Sequence, residues 1–161
     1  MKPFKKILFP VDLSDVSQNI APWVIMMAER FGAQICILFV ARSFEYLHSF
    51  HLAQPEIDNF ALSFAKGAEE EIKKFVQNNL KEYSDCKTEI VHGDPADKII
   101  QYITSEEIDL VIMGTHGRKG LNLVLFGSVA DRVVKMSPVP VLTVNPYRIP
   151  SSEIEPSSSK D

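Results

Sequence analysis

Apolar residues along the chain fall into two alternating spacings. Ile7-Leu8-Phe9-Pro10-Val11 is a continuous apolar run of strand length, as expected of a strand covered on both faces. Ala21, Val24, Ile25, Ala28 and Phe31 then recur at three- and four-residue intervals, which predicts a helix stopping at Gly32. Ile35–Ala41 is a second apolar, β-branched run. After the aromatic-rich, unpatterned stretch Arg42–Pro55, the positions Ile57, Phe60, Ala61, Phe64, Ala68, Ile72, Phe75, Val76 and Leu80 mark a long amphipathic helix. Glu69, Glu70, Lys73 and Lys74 occupy its opposite face.

Thr88–His92 alternates like an edge strand, and Asp94-Pro95 opens a third helix, Asp as cap and Pro in the first turn, with Ile99, Ile100 and Ile103 inward. Asp109–Met113 is a fourth strand. A helix carrying Val129, Ala130, Val133 and Val134 leads to a last strand, Val139–Val144. Residues 1–146 form one domain in this reading. The Ser-, Pro- and Glu-rich remainder, 147–161, has too little apolar content to fold. The order βαβαβαβαβ implies a doubly wound parallel sheet with helices on both faces, and right-handed crossovers limit the winding. It leaves the strand order open. Ligands of such sheets bind outside the carboxyl ends of the strands, where the winding reverses.

Composition narrows the function classes. The 161 residues carry a net charge of −4 with no long cationic run, which argues against a nucleic-acid binder. No apolar stretch is long enough to cross a bilayer, and Ile7–Val11 is too short for a signal peptide. A cytoplasmic protein is expected. Cys36 and Cys86 form no metal or redox motif, and Cys36 lies in an apolar run as an inert thiol.

Two strand ends carry unusual chemistry. The fourth strand runs into Gly114-Thr115-His116-Gly117-Arg118-Lys119-Gly120, and Gly127-Ser128 opens the next helix. Glycines let backbone N–H groups converge on an anion, and a helix N-terminus favours phosphate. An ordinary βα connection capped by Ser128 is the plainer alternative. Neither a Walker-type Gly-x4-Gly-Lys-Ser/Thr nor a Gly-x-Gly-x2-Gly after the first strand is present. Pro10 cannot donate to a ladder, so it marks the end of pairing in the first strand, and Asp12 emerges just beyond it. A carboxylate there suits ribose hydroxyls or a phosphate-bound metal; capping of the first helix is the competing reading, and the one expected of Ser14 and Asp15. His116, without a visible partner, reads as loop scaffold, His48 and His51 as parts of a packed loop, and Asp94 as a helix cap. Met26 and Met27 are expected to pack in the core.

Ile7-Leu8-Phe9-Pro10-Val11-Asp12-x-Ser14, His92-Gly93-Asp94-Pro95-Ala96 and Asp109–Gly117 resemble the universal stress protein family over roughly residues 4–145. The most specific element, Gly114-x2-Gly117-x9-Gly127-Ser128, is similar to the Gly-x2-Gly-x9-Gly-Ser/Thr pattern of its ATP-binding branch. The resemblance implies a Rossmann-like five-stranded sheet of order 3-2-1-4-5, which puts the winding reversal between strands one and four. It implies ATP, or AMP or ADP, as ligand, with Mg2+ held through the phosphates near Asp12. Pro10 and Val11 would line the adenine, Val40 would meet its edge through the backbone, and Met113 and Gly114 would floor the pocket. Gly117, Arg118, Gly127, Ser128 and Val129 would hold the ribose-phosphate part. It further implies a homodimer through the edge strand Val139–Val144. The expected function is a nucleotide-dependent regulatory module without catalytic residues. A slow ATP hydrolase or phosphotransferase, and a dimeric scaffold that binds no nucleotide, are the alternatives.

Overall fold

Nine elements follow one another in the computed structural model, which describes residues 3–42, 54–115 and 127–147. They are β1 (Lys6–Val11), α1 (Asp15–Phe31), β2 (Gln34–Ala41), α2 (Gln54–Asn79), β3 (Cys86–His92), α3 (Pro95–Ser105), β4 (Leu110–Gly114), α4 (Ser128–Met136) and β5 (Val141–Val144). All strand pairs are parallel and the sheet order is β3-β2-β1-β4-β5, as the family resemblance implied. The chain winds outward from β1 through β2 to β3, then returns across β1 to β4 and β5.

The continuous apolar strands are explained by burial on two sides. Successive side chains of a strand point to opposite faces. Ile7, Phe9, Ile35, Ile37, Leu110 and Ile112 therefore pack under α1 and α2, against Ile20, Val24, Ala28, Ile72 and Phe75. Leu8, Cys36, Leu38, Val111 and Met113 face α3 and α4, against Ile99, Tyr102, Ile103, Ala130 and Val133. Ile7, Leu8 and Phe9 in the central strand are fully buried.

Helix ends follow the local chemistry. α1 stops at Gly32, which takes the left-handed conformation (φ 58°) that closes a helix at little cost without a Cβ. Asp94 caps α3 by accepting the Asp97 N–H at 3.1 Å. Met27 packs against the core as expected, but Met26 is 42% exposed on the solvent side of α1. Val134 on α4 is likewise exposed. Cys36 and Cys86 are free thiols on adjacent strands; burial raises the Cys36 pKa and pushes that of Cys86 up to about 11. Both are poor nucleophiles at neutral pH.

Several strand boundaries differ from expectation: β3 begins at Cys86 and not at Thr88, and β4 spans Leu110–Gly114 and not Asp109–Met113. The last strand is Val141–Val144, not Val139–Val144. The Pro140 carbonyl accepts the Val111 N–H at 3.0 Å, so residue 140 faces β4. Its missing N–H is therefore on the inner side, and regular pairing begins one residue later. At β1 the effect of proline is one-sided, as described next. The side chains of Ile57, Phe60 and Ala61 in α2, and the tail from residue 148 onward, lie outside the described residues.

Candidate functional site

Pro10 does not end β1; it ends only one of its two ladders. The Lys6 carbonyl accepts the Asp109 N–H at 3.0 Å, so the even-numbered residues of β1 turn their backbone groups toward β4. Pro10 belongs to that set and has no hydrogen to donate. Pairing with β4 accordingly covers Ile7↔Leu110 and Leu8↔Val111, whereas pairing with β2 continues to Val11↔Phe39. The two central strands part at their carboxyl ends, where the winding reverses. A crevice at this point is the usual ligand site of an open α/β sheet.

Asp12 stands on the β1 side of this crevice, half-buried. Its Oδ1 accepts three hydrogen bonds: from the Ser14 N–H at 3.1 Å, the Ser14 hydroxyl at 2.6 Å and the Ser17 hydroxyl at 2.9 Å. Ser17 Oγ in turn accepts the Asp12 N–H at 3.2 Å. Leu13, between them, has φ 59°, a conformation that costs a non-glycine residue roughly 1 kcal/mol or more. The turn is held in that shape by the Asp12–Ser14–Ser17 bonds. Ser14 occupies the N-cap position of α1 but its side chain makes no cap bond; its hydroxyl donates to Asp12. Asp15 sits in the first turn of α1.

On the β4 side, Thr115 is buried and donates its N–H to the Val144 carbonyl at 2.9 Å. Its own carbonyl accepts the Gly127 N–H at 2.7 Å. The loop between them thus leaves and rejoins the fold at one point, against the end of β4. Gly127, with φ −67° and ψ 157°, is the N-cap of α4, and its carbonyl accepts the Asp131 N–H at 2.9 Å. Ser128 is the first helical residue, not the cap, and among the described residues no side chain caps α4. The first-turn N–H groups and the positive end of the helix dipole are directed at the carboxyl edge of the sheet.

Pro10, Val40 and Met113 share the α3/α4 face of the sheet by strand alternation, and Val129 packs against the same cluster. Val11 points the other way, into the core beneath α1 and α2, and offers the crevice only its backbone. Gly114 is the half-buried last residue of β4. Gly117, Arg118 and His116 lie outside the described residues, as do His48 and His51. Among the described residues no group of three or more His, Cys, Asp or Glu could hold a metal ion.

Sequence reasoning gave Ser17 and Arg132 no role. Ser17 is 4% exposed, and its spacing of five residues from Asp12, across a strand end into the first helical turn, was the available signal. Arg132 of α4 reaches α3: Nη1 donates to Asp94 Oδ1 at 2.8 Å and Nη2 to Asp97 Oδ1. The Asp94 carboxyl lies below its usual pKa, first through the Asp97 N–H and then through Arg132. Asp94 is thus the cap that was expected, with an interhelical ion pair added.

A separate open groove of about 300 Å³ lies on the α1/α2 face, lined by Leu13, Phe39, Phe64, Gly67, Ala68, Glu70 and Glu71. Its walls are mainly apolar and its two charged residues are acidic, so it repels rather than attracts phosphate.

Known proteins share this architecture. The model of the Universal stress protein family matches residues 3–145. Universal stress protein MJ0531 of Methanocaldococcus jannaschii is 33% identical over 144 residues, covering 88% of this chain and 82% of its own. Universal stress protein MJ0577 of the same organism is 30% identical over 153 residues, covering 88% and 94%. The solved structure of MJ0577 superposes with a TM-score of 0.78 over 89% of this chain and 97% of that one, at 26% identity. A universal stress protein family protein of Arabidopsis thaliana with AMP bound has the same fold, with a TM-score of 0.58 at 23% identity over 92% of this chain and 97% of that one. Among the described residues no helix is long and apolar enough to cross a membrane.

Proposed function

The chain belongs to the universal stress protein family, and we propose that it is a cytoplasmic adenine-nucleotide-binding regulatory module of the ATP-binding branch, acting as a homodimer. The observation that carries this reading is the α4 N-terminus, uncapped by any described side chain and set beside the parted ends of β1 and β4. Such a terminus binds phosphate through backbone N–H groups without a dedicated basic side chain.

In this reading Gly127, Ser128 and Val129 hold phosphates, joined by Gly117 and Arg118. Pro10, Val40, Met113 and Gly114, with the Val11 backbone, surround the base, and Asp12 accepts from the ribose. Mg2+ comes bound to the phosphates. The AMP-bound relative supports an adenine nucleotide in this fold. Binding is favoured over hydrolysis because Asp12, the nearest described candidate for a base, already has Oδ1 engaged by three donors.

The homodimer would form through β5. The Pro140 and Val144 carbonyls face β4, so Leu142 does too, and the backbone groups of Val141 and Thr143 point to the open edge. Exposed Val134 and Met136 on the adjoining α4 add apolar area that a second copy would cover.

Titration calorimetry with ATP and Mg2+ tests the reading, together with analysis of acid-extracted nucleotide. At a hundredfold excess over Kd, ATP is expected to add about 2.7 kcal/mol of stability and to raise Tm by roughly 5 to 10 °C for a domain of this size. Absence of heat and of thermal shift with ATP, ADP and AMP alike would leave the nucleotide-free scaffold as the function.

A further inference from the structure

The groove on the α1/α2 face lies across the sheet from Val40 and Met113 and belongs to a different surface. Buried Phe39 and Ala68 and half-buried Leu13 give it an apolar interior, and exposed Phe64, Glu70 and Glu71 stand around its mouth. Its volume of about 300 Å³ is at the lower end for ligand pockets, enough for an apolar anchor. Glu71 also meets Lys74 at 2.9 Å. That pair is exposed to solvent, so an incoming cation competes for it at little cost.

Gly67 lies in the same wall, midway along α2, where glycine is the least favourable residue after proline. Its backbone is helical, so no left-handed turn asks for it. Among the described residues nothing lies within 4 Å of where its Cβ would stand. Neither conformation nor packing within the described fold calls for glycine here. What glycine provides is a notch through which another backbone can approach the helix closely.

We propose that this groove docks a short basic amphipathic segment of a partner protein, with an apolar side chain entering over Gly67 and lysine or arginine side chains meeting Glu70 and Glu71. The mode is that of a helix laid in a groove, where apolar anchors supply most of the affinity. Charge selects the partner. Two carboxylates at the mouth and a net charge of −4 on the whole chain attract cationic segments and disfavour a second copy of this chain. Nucleotide plays no part in the contact.

Fluorescence anisotropy tests it with a labelled peptide of alternating Leu-Leu and Lys-Lys pairs, beside one analogue with Glu for Lys and another with Ser for Leu. The wild type is expected to bind the Leu/Lys peptide at least about tenfold more tightly than either analogue, and less tightly as salt rises. Gly67→Leu fills the notch with a better helix former, so far-ultraviolet circular dichroism should be kept while affinity falls by about tenfold or more. Glu70→Lys should weaken binding to a similar degree. Glu82→Lys makes the same change of charge at an exposed position outside the groove and should stay within about twofold of the wild type. The proposal is overturned if the wild type does not prefer the Leu/Lys peptide, if Gly67→Leu binds it as the wild type does, or if Glu82→Lys weakens binding as much as Glu70→Lys. It is overturned equally if Gly67→Leu changes the sedimentation of the protein alone, which would make the groove a contact between copies of this chain.

Discussion

The backbone N–H of Gly127 donates to the carbonyl of Thr115 at 2.7 Å, closing the base of the loop that joins β4 to α4. Through this bond the end of β4 is tied to the start of α4. Gly127 has φ −67°, which any residue adopts, so its lack of a side chain is not needed by the backbone. It is needed if an anion approaches the helix N-terminus closely. Gly127→Ala is therefore expected to cost about 1 kcal/mol or less of stability, the usual difference between Gly and Ala at an N-cap, and to weaken ATP binding by about tenfold or more. Thermal denaturation and calorimetry on the same variant separate the two effects. A variant that binds ATP as the wild type does would remove Gly127 from the site.

Acid should act through Asp94. Its folded pKa is depressed, so its bonds contribute stability above the unfolded carboxyl value of about 3.9 and lose it as the pH falls through the lower folded value. Asp94→Ala is expected to cost about 1 kcal/mol at pH 7 through loss of the cap. Asp94→Asn keeps an acceptor for the Asp97 N–H and should cost less. Denaturant titrations between pH 2.5 and 7 should show the wild type converging on Asp94→Ala in acid. A gap that stays constant to pH 2.5 would mean that ionisation of Asp94 is not involved.

Assembly can be separated from folding at Thr143, whose backbone groups point away from β4. Thr143→Pro removes a donor from the open edge and leaves the β4–β5 ladder intact. Sedimentation should show a dimer for the wild type and a monomer for the variant, with the same far-ultraviolet circular dichroism. A variant that still dimerises would place the interface elsewhere.

Stability should reside in the central strand. Leu8 is fully buried against α3 and α4, and Leu8→Ala is expected to cost about 2–5 kcal/mol. Lys74 pairs with Glu71 at 2.9 Å on an exposed face, where solvent screens the pair, and Lys74→Ala should leave the urea midpoint nearly unchanged. Urea denaturation of both variants checks the contrast. Near-equal effects would contradict the two-faced core described above.

Much of the fold was legible because the determinants are local. The continuous apolar run Ile7–Val11 announces a strand with two covered faces, and the 3.6-residue spacing through Ile72, Phe75 and Val76 announces a helix, whatever surrounds them. Gly32 and Asp94 mark helix ends through conformational freedom and a side-chain acceptor, both properties of the residue itself. The sheet order came through family resemblance, since the alternation of elements is compatible with several windings. Tertiary structure decided what depends on direction. Proline at positions 10 and 140 removes an N–H in any context, but only the sheet determines which neighbour loses the bond. Val11 and Pro10 are adjacent in sequence yet face opposite layers. Ser17 looked like any polar residue of a first helical turn until the end of β1 set Asp12 against it. A hydrogen bond is a relation between two groups, and the chain alone names only the groups.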